Sequence, residues 1–262
     1  MEKSIIEIQN LCTGFKLSGG KVRRLHQRLN IDIKQGELVC ILGPNGSGKS
    51  TLLRTLLGFE KPLEGVVLID QKPIDKITIR EMARFVSVVL TDKIDDFYLT
   101  AFEVALTGRY PYGSFSGRIT QEDKLMVEKV FDQITISHLL SSTFYKLSDG
   151  EKQRVMIARA IVQDTPFIFM DEPVAFIDSP GKVGIMQLIK NLTMTFGKGV
   201  LMATHDIDSA IDYADRFWLL GKNAAFEQGL PFALIESGSI NRFFDQQNIF
   251  FEKQTKKFVW KG

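Results

Sequence analysis

The stretch 43–51, which reads GPNGSGKST, constrains the fold of this chain more than any other feature. It satisfies the pattern G-x-x-x-x-G-K-[ST], in which glycines let successive backbone N–H groups turn inward around an anion. The apolar run 37–42 predicts a buried strand before it, and the run 52–57 predicts a helix after it. This order predicts a phosphate-binding loop. The predicted nucleotide-binding residues are Gly43, Pro44, Asn45, Gly46, Ser47, Gly48, Lys49, Ser50 and Thr51.

Two side chains of this loop have predicted roles of their own. Lys49 has the length and charge to reach the β- and γ-phosphates, and the hydroxyl of Ser50 is a ligand for Mg²⁺. The helix that follows adds the positive end of its dipole to the same place. The loop therefore predicts binding of a nucleoside triphosphate together with Mg²⁺.

Composition excludes several classes of protein. The chain has 262 residues, a formal net charge of +2 and two cysteines, Cys12 and Cys40. This charge does not favour a nucleic-acid partner, and the cysteine spacing indicates neither a disulfide scaffold nor a zinc site. No apolar run reaches the length that spans a bilayer, so we expect a membrane role only through a partner protein.

Two adjacent carboxylates, Asp171 and Glu172, follow an apolar run at 167–170 that predicts a buried strand. In isolation the pair fits equally well the surface start of a helix, where acidic residues are common. Downstream of a phosphate loop, a strand-end aspartate binds Mg²⁺ and a second carboxylate orients or deprotonates the attacking water. We therefore predict that Asp171 binds the metal and Glu172 acts on the water.

Three histidines and one early aromatic residue complete the candidates. His205 follows a predicted strand at 200–203, where a ring N–H can donate to a γ-phosphate. His26 and His138 have no such context, and we expect each to be structural or exposed. Phe15 fits two roles, a core or edge aromatic and a ring that stacks on adenine.

The pattern becomes mainly helical between about 100 and 163. Thr120 with Asp123, and Ser148 with Glu151, have the spacing of capping boxes at helix starts. A helical block between predicted strands indicates an insertion within an α/β domain.

Five motifs occur in one order: the phosphate loop, LSDGE at 147–151, FMDEP at 169–173, FID at 176–178 and His205. In this order and approximate spacing, the chain resembles the ATPase subunit of an ABC transporter over about 5–229. The resemblance implies an α/β P-loop fold of ABC type, with a mostly parallel sheet core, N-terminal antiparallel strands and an inserted helical subdomain. It also implies transport-coupled hydrolysis of ATP.

The resemblance further implies a head-to-tail homodimer that encloses two ATP molecules. Each ATP is held by one subunit's phosphate loop and capped by the other subunit's helix start. Phe15 becomes the adenine-stacking ring, Asp178 lies in the loop that links the two sites, and His205 contacts the γ-phosphate. The implied contacts from the second subunit are Ser148, Asp149, Gly150 and Glu151.

Two positions depart from the family's pattern. Thr91 stands where a glutamine that contacts Mg²⁺ or water is usual, so Thr91 is a candidate metal ligand and Asp92 a possible substitute. Asp149 stands where glycine is usual. The carboxylate of Asp149 would repel a nearby phosphate, but the start of a helix favours a negative charge. We therefore expect reduced rather than absent ATPase activity.

The segment 104–112, VALTGRYPY, resembles the corresponding segment of importers for iron–siderophore, haem and cobalamin complexes. This implies an integral-membrane permease as partner, a substrate-binding protein as indirect partner, and a peripheral place on the cytoplasmic face of the inner or plasma membrane. A soluble ABC ATPase for assembly or repair, and the ATPase of an exporter, are the alternatives.

The same resemblance gives the expected domain organisation. We expect one ABC nucleotide-binding domain over 1–262, with a catalytic core at about 1–91 and 164–228. The helical subdomain is expected at about 92–163, and a short C-terminal extension at about 229–262. The apolar residues of this extension are expected to cover the core.

Overall fold

The structure is a computed structural model, and it describes residues 4–16, 21–90, 98–113, 119–244 and 249–260. The strands are β1 (Ile5–Lys16), β2 (Val22–Lys34), β3 (Leu38–Leu42), β4 (Glu64–Ile69), β5 (Lys72–Pro73), β6 (Val86–Val89), β7 (Phe167–Asp171), β8 (Gly199–Thr204), β9 (Arg216–Leu220), β10 (Phe226–Gly229), β11 (Ile249–Glu252) and β12 (Lys257–Trp260). The helices are α1 (Lys49–Leu56), α2 (Ile79–Phe85), α3 (Ala101–Leu106), α4 (Gln121–Gln133), α5 (Asp149–Val162), α6 (Ser179–Met194), α7 (Ile207–Ala210), α8 (Pro231–Glu236) and α9 (Ser239–Phe243).

Within the described residues, the central sheet has the strand order β10-β9-β3-β8-β7-β6. The strands from β9 to β6 run parallel, and β10 is an antiparallel edge. Alternate residues of β3 pack into two different hydrophobic clusters: Leu38 and Cys40 into one, Val39 and Ile41 into the other. Burial on both faces explains the continuous apolar runs, and it confirms the mostly parallel sheet core.

The carboxyl ends of three parallel strands meet at one edge of this sheet. Leu42 of β3 pairs with Thr204 of β8, and Asp171 of β7 pairs with Ala203 of β8. The residues that follow these strands therefore emerge side by side. In parallel α/β sheets this edge is where ligands bind.

An antiparallel sheet with the order β2-β1-β4-β5 packs beside the core, as the resemblance implied. The first strand, β1, continues through Asn10 and Gly14, two residues that do not favour regular strands. Asn10 has φ 50 and Gly14 has φ 154, and the register shifts between Ile8 and Leu11 and again near Gly14. The strand accommodates these residues as β-bulges, which keep pairing on either side of an irregular residue.

The inserted helices begin where the sequence predicted. Thr120 caps α4 and Ser148 caps α5, each with the complete capping box. Buried residues of α3, α4 and α5 belong to the same hydrophobic cluster as one face of the sheet. Only part of the apolar run 85–90 is a strand: Phe85 ends α2, and Leu90, which is 45% exposed, follows β6.

The C-terminal residues form two short helices and the hairpin β11–β12. Asn241 binds both backbone groups of Phe251: it accepts from the N–H at 2.6 Å and donates to the carbonyl at 3.0 Å. The Phe251 side chain is buried in the main cluster, whereas Ile249 is partly exposed. Phe251 thus covers the core as expected, and Phe243, Phe244 and Phe258 pack against the same cluster.

Candidate active site

The stretch 43–51 connects β3 to α1, the position required of a phosphate loop. Gly48 precedes the first residue of α1. Its φ of 97 is a left-handed conformation, which favours glycine. A side chain at Gly43 would bring its Cβ within 2.4 Å of the Leu220 carbonyl oxygen. These two glycines let the loop turn closely around the start of the helix.

Lys49, near the end of the phosphate loop and the first residue of α1, is buried. Its Nζ donates a hydrogen bond to the Gly43 carbonyl at 2.8 Å, which closes the loop across its base. Burial lowers the pKa of the Lys49 ammonium, and the carboxylates of Glu172 and Asp171 partly oppose this shift. The ammonium of Lys49 is therefore close enough to Glu172 and Asp171 to interact with their charges.

Asp171 ends β7 and is hydrogen-bonded to the Ser50 side chain at the start of α1. Burial raises the pKa of the Asp171 carboxyl, and the neighbouring charge of Glu172 raises it further. The bond from Ser50 and the charge of Lys49 act in the opposite direction. A cation bound next to Asp171 would therefore stabilise the ionised form of its carboxyl group.

Glu172 and His205 contact each other directly. Oε2 of Glu172 lies 2.9 Å from Nδ1 of His205 and accepts hydrogen bonds from the His205 backbone N–H at 3.3 Å and the Thr204 hydroxyl at 3.2 Å. Glu172 itself has φ 49, an uncommon conformation for a residue with a side chain. The carboxylate is therefore oriented by three donors at the carboxyl end of β8.

A cavity of about 390 Å³ joins several predicted residues. It is lined by Phe15, Arg23, Leu25, Asn45, Gly46, Gly48, Lys49, Ser50, Thr51 and Glu172. Phe15 is 43% exposed at the rim rather than buried in the core. The structure thus places the candidate stacking ring on the same cavity as the phosphate loop.

The segment from Ser148 to Glu151 forms the exposed start of α5. Ser148 Oγ donates to Glu151 Oε2 at 2.7 Å, and Glu151 also accepts from the Ser148 backbone N–H. The side chain of Asp149 is exposed. None of these residues lines the described part of the cavity around Lys49. Asp178 caps α6 by accepting from the Gly181 N–H at 3.2 Å.

Sequence patterns missed two contacts of this site, and one candidate lies outside the described residues. Thr204 bonds Glu172, which its place at a strand end could have indicated. His26 is buried and contacts the phosphate loop, although strict alternation from Leu29 turns position 26 outward. Thr91, like Asp92, falls in the stretch that the structure does not describe.

Comparison with known proteins agrees with this geometry. A family model described as ABC transporter matches residues 26–175. The chain is 32% identical over 232 residues to the petrobactin import ATP-binding protein FpuC of Bacillus anthracis, covering 88% of this chain and 85% of that protein. It is 33% identical over 231 residues to the hemin import ATP-binding protein HmuV of Hahella chejuensis, covering 85% and 87%.

A solved dimeric bacterial ABC transporter cassette has the same fold. It aligns with a TM-score of 0.73 and 30% identity, over 86% of this chain and 98% of that one. The family model covers more than half of the chain, and the relatives align along most of their own length. The chain therefore belongs to the ATP-binding subunits of ABC transporters, which are ATPases.

Proposed function

We propose that this chain is the ATP-hydrolysing subunit of an importer, which acts as a head-to-tail homodimer with a separate permease. Its substrate class is an iron–siderophore, haem or cobalamin complex. The observation that carries the proposal is the meeting of Lys49, Asp171, Glu172 and His205 at one sheet edge. The relatives named for petrobactin import and for hemin import support the substrate class.

The reaction is in-line attack of water on the γ-phosphorus of ATP, which breaks the bond to the bridging β–γ oxygen. The backbone N–H groups of 43–51 and the Lys49 ammonium bind the β- and γ-phosphates and stabilise the charge that develops on them. Phe15 stacks on the adenine from the rim of the cavity. Phe15 is 43% exposed and lines the same cavity as Lys49, which supports this contact.

The side chains of Ser50 and Asp171 fit Mg²⁺, because both supply hard oxygen ligands and already contact each other. Groups of three or more His, Cys, Asp or Glu that could hold a metal are absent from the described residues. A site with few protein ligands suits Mg²⁺, which commonly takes substrate phosphate oxygens and water as well. When bound, the ion neutralises phosphate charge.

Glu172 orients and deprotonates the attacking water, and His205 positions Glu172 through the bond at Nδ1. A carboxylate only accepts, so Nδ1 carries a proton in this arrangement. In the neutral ring, Nε2 is then an acceptor. Nε2 can donate to the γ-phosphate in either of two cases. The ring is protonated at both nitrogens, or the bond to Glu172 is broken and the proton is on Nε2 instead of Nδ1.

The opposing subunit contributes the start of α5 to the γ-phosphate. Ser148 is exposed, and the N-terminus of a helix of 14 residues favours a bound anion. Ser148 donates to Glu151 in the free subunit, so its hydroxyl must turn from Glu151 to reach a phosphate. The Asp178 loop lies between the two composite sites of the dimer.

An apolar groove lined by residues of α2 and β6 is the proposed docking surface for the permease. This groove encloses about 340 Å³ and includes Phe59, Ile74, Ile77, Ile79 and Met82. Ile79 is 90% exposed and Phe59 is 66% exposed, and such clustered apolar surface commonly marks a protein partner. None of the described helices is long and apolar enough to cross a membrane. In this proposal the permease binds the groove and holds the chain at the cytoplasmic face of the membrane.

Purification of the tagged full-length chain from detergent-solubilised membranes of its source tests this proposal. We expect a polytopic membrane protein to co-purify. Ile79→Glu should lose that protein while binding ATP normally. Met194→Glu, which changes an apolar residue that is 73% exposed on α6, is the matched control and should retain it. Recovery of the chain without a membrane protein would instead favour a soluble assembly or repair ATPase.

A further inference from the structure

A histidine lies directly beneath the phosphate loop. His26 of β2 is 1% exposed, and its Nε2 lies 3.0 Å from the carbonyl oxygen of Ser47. Its Nδ1 lies 2.6 Å from the hydroxyl of Thr13 on β1, which is also buried. The imidazole therefore bridges the antiparallel sheet and the loop.

The partners determine the tautomer of this ring. A carbonyl oxygen can only accept, so Nε2 carries the proton and donates it to Ser47. The Thr13 hydroxyl then donates to the unprotonated Nδ1. The two hydrogen bonds hold the ring in one orientation, because rotation of the ring would break both.

The bond to Ser47 has a consequence for the next residue. In a trans peptide, the carbonyl of Ser47 and the N–H of Gly48 lie on opposite sides of the chain. Fixing the carbonyl toward β2 turns the Gly48 N–H away from β2. The remaining space on the β2 side is closed, since a Cβ at Gly48 would lie 2.7 Å from Cε1 of His26.

We propose that His26 is a positioning residue that aims the Gly48 N–H at the β-phosphate of ATP. The inference rests on the proposed role of 43–51 as the phosphate site. Thr13 lies two residues before Phe15 on β1, so the Thr13–His26–Ser47 chain of hydrogen bonds also joins the strand of the stacking ring to the loop. His26 is not among the described residues that line the cavity around Lys49, and it acts only through Ser47.

Binding of ATP, ADP and AMP to the purified full-length chain and its variants tests this role. His26→Leu keeps apolar bulk but has no donor, and it should weaken ATP and ADP roughly five- to tenfold, the loss expected for one aligned hydrogen bond. AMP, which has no β-phosphate, should bind within about twofold of wild type. His26→Gln places an amide N–H near the former Nε2 and should restore ATP affinity to within about twofold.

Thr13→Val provides a second route should His26→Leu fail to fold. It removes the donor to Nδ1 and leaves the bond to Ser47 as the only one that orients the ring, so it should weaken ATP and ADP about two- to threefold while sparing AMP. Equal weakening of all three nucleotides, or wild-type affinity in both His26→Leu and Thr13→Val, would overturn the inference. Failure of His26→Gln to bind ATP better than His26→Leu would also overturn it.

Lys49→Ala separates this inference from the site assignment. If Lys49→Ala binds ATP as wild type does, the assignment of 43–51 as the phosphate site is wrong. If Lys49→Ala loses ATP while the His26 and Thr13 variants do not, only the role of His26 is wrong.

Discussion

The buried imidazole of His26 predicts how the stability of the protein depends on pH. Burial lowers the pKa of His26 from 6.5 to about 4, and the hydrogen bond to the Ser47 carbonyl only partly opposes this shift. The folded protein therefore binds this proton more weakly than the unfolded chain. The stabilisation is complete above pH 6.5 and is lost as the pH falls through that value toward 4.

The size of the effect follows from the two pKa values. Each pH unit between 6.5 and about 4 is worth about 1.36 kcal/mol, so His26 alone should remove about 2–3 kcal/mol of unfolding free energy between pH 7.5 and pH 4.5. His26→Gln replaces the imidazole by a group that does not titrate. The variant should lack this part of the pH dependence and keep all others, including that of Asp171.

Equilibrium urea unfolding, followed by circular dichroism at half-unit steps from pH 7.5 to about pH 4.5, measures the difference. Wild type should lose about 2–3 kcal/mol more than His26→Gln over this range. Salt concentration is held constant, because exposed ion pairs also respond to it. Parallel curves for the two proteins, within about 0.5 kcal/mol, would refute the reasoning.

Two further changes test other parts of the chain. Asp149→Asn removes the negative charge at the start of α5 and should raise ATPase activity about two- to fivefold. Glu122→Gln, in the first turn of α4, is the control and should not raise it. Equal rates in wild type and both variants would contradict a charge effect. Asn241→Ala breaks both hydrogen bonds to Phe251 and should cost about 1–3 kcal/mol. Limited proteolysis should then cut within 249–260 first, and an unchanged digestion pattern would contradict this.

The predictable parts of the fold were those with a strong local cause. A glycine-rich loop between an apolar strand and a helix is seldom anything other than a phosphate-binding loop. The capping boxes at Thr120 and Ser148 are defined by two residues three positions apart, so the sequence shows them directly. The parallel strands β3, β7 and β8 could be predicted from the sequence, because burial on both faces makes each of them a continuous apolar run. No local pattern predicted the order of the strands in the central sheet, which is β10-β9-β3-β8-β7-β6.

The parts that sequence patterns could not give depend on irregular backbone. One extra residue in β2 between Leu29 and His26 shifts the alternation, so His26 turns inward against the loop. Arg28 in that interval has φ 49, and the alternation of polar and apolar residues carries no sign of it. The bond between Glu172 and Thr204 likewise needs the register of β7 against β8.

The central claim is that two copies of this chain form each hydrolytic site. Glu172→Gln should bind MgATP but lose about 10²- to 10⁴-fold in turnover, because the group that activates water is absent. Multi-angle light scattering of Glu172→Gln at micromolar concentration then measures whether ATP joins two subunits.

We expect twice the 29.6 kDa of one chain with MgATP and a single chain with ADP. Adding Ser148→Arg, which blocks the start of α5, should return the ATP sample to a single chain. A Glu172→Gln protein that stays at 29.6 kDa with MgATP, or a dimer that survives Ser148→Arg, would contradict the composite site.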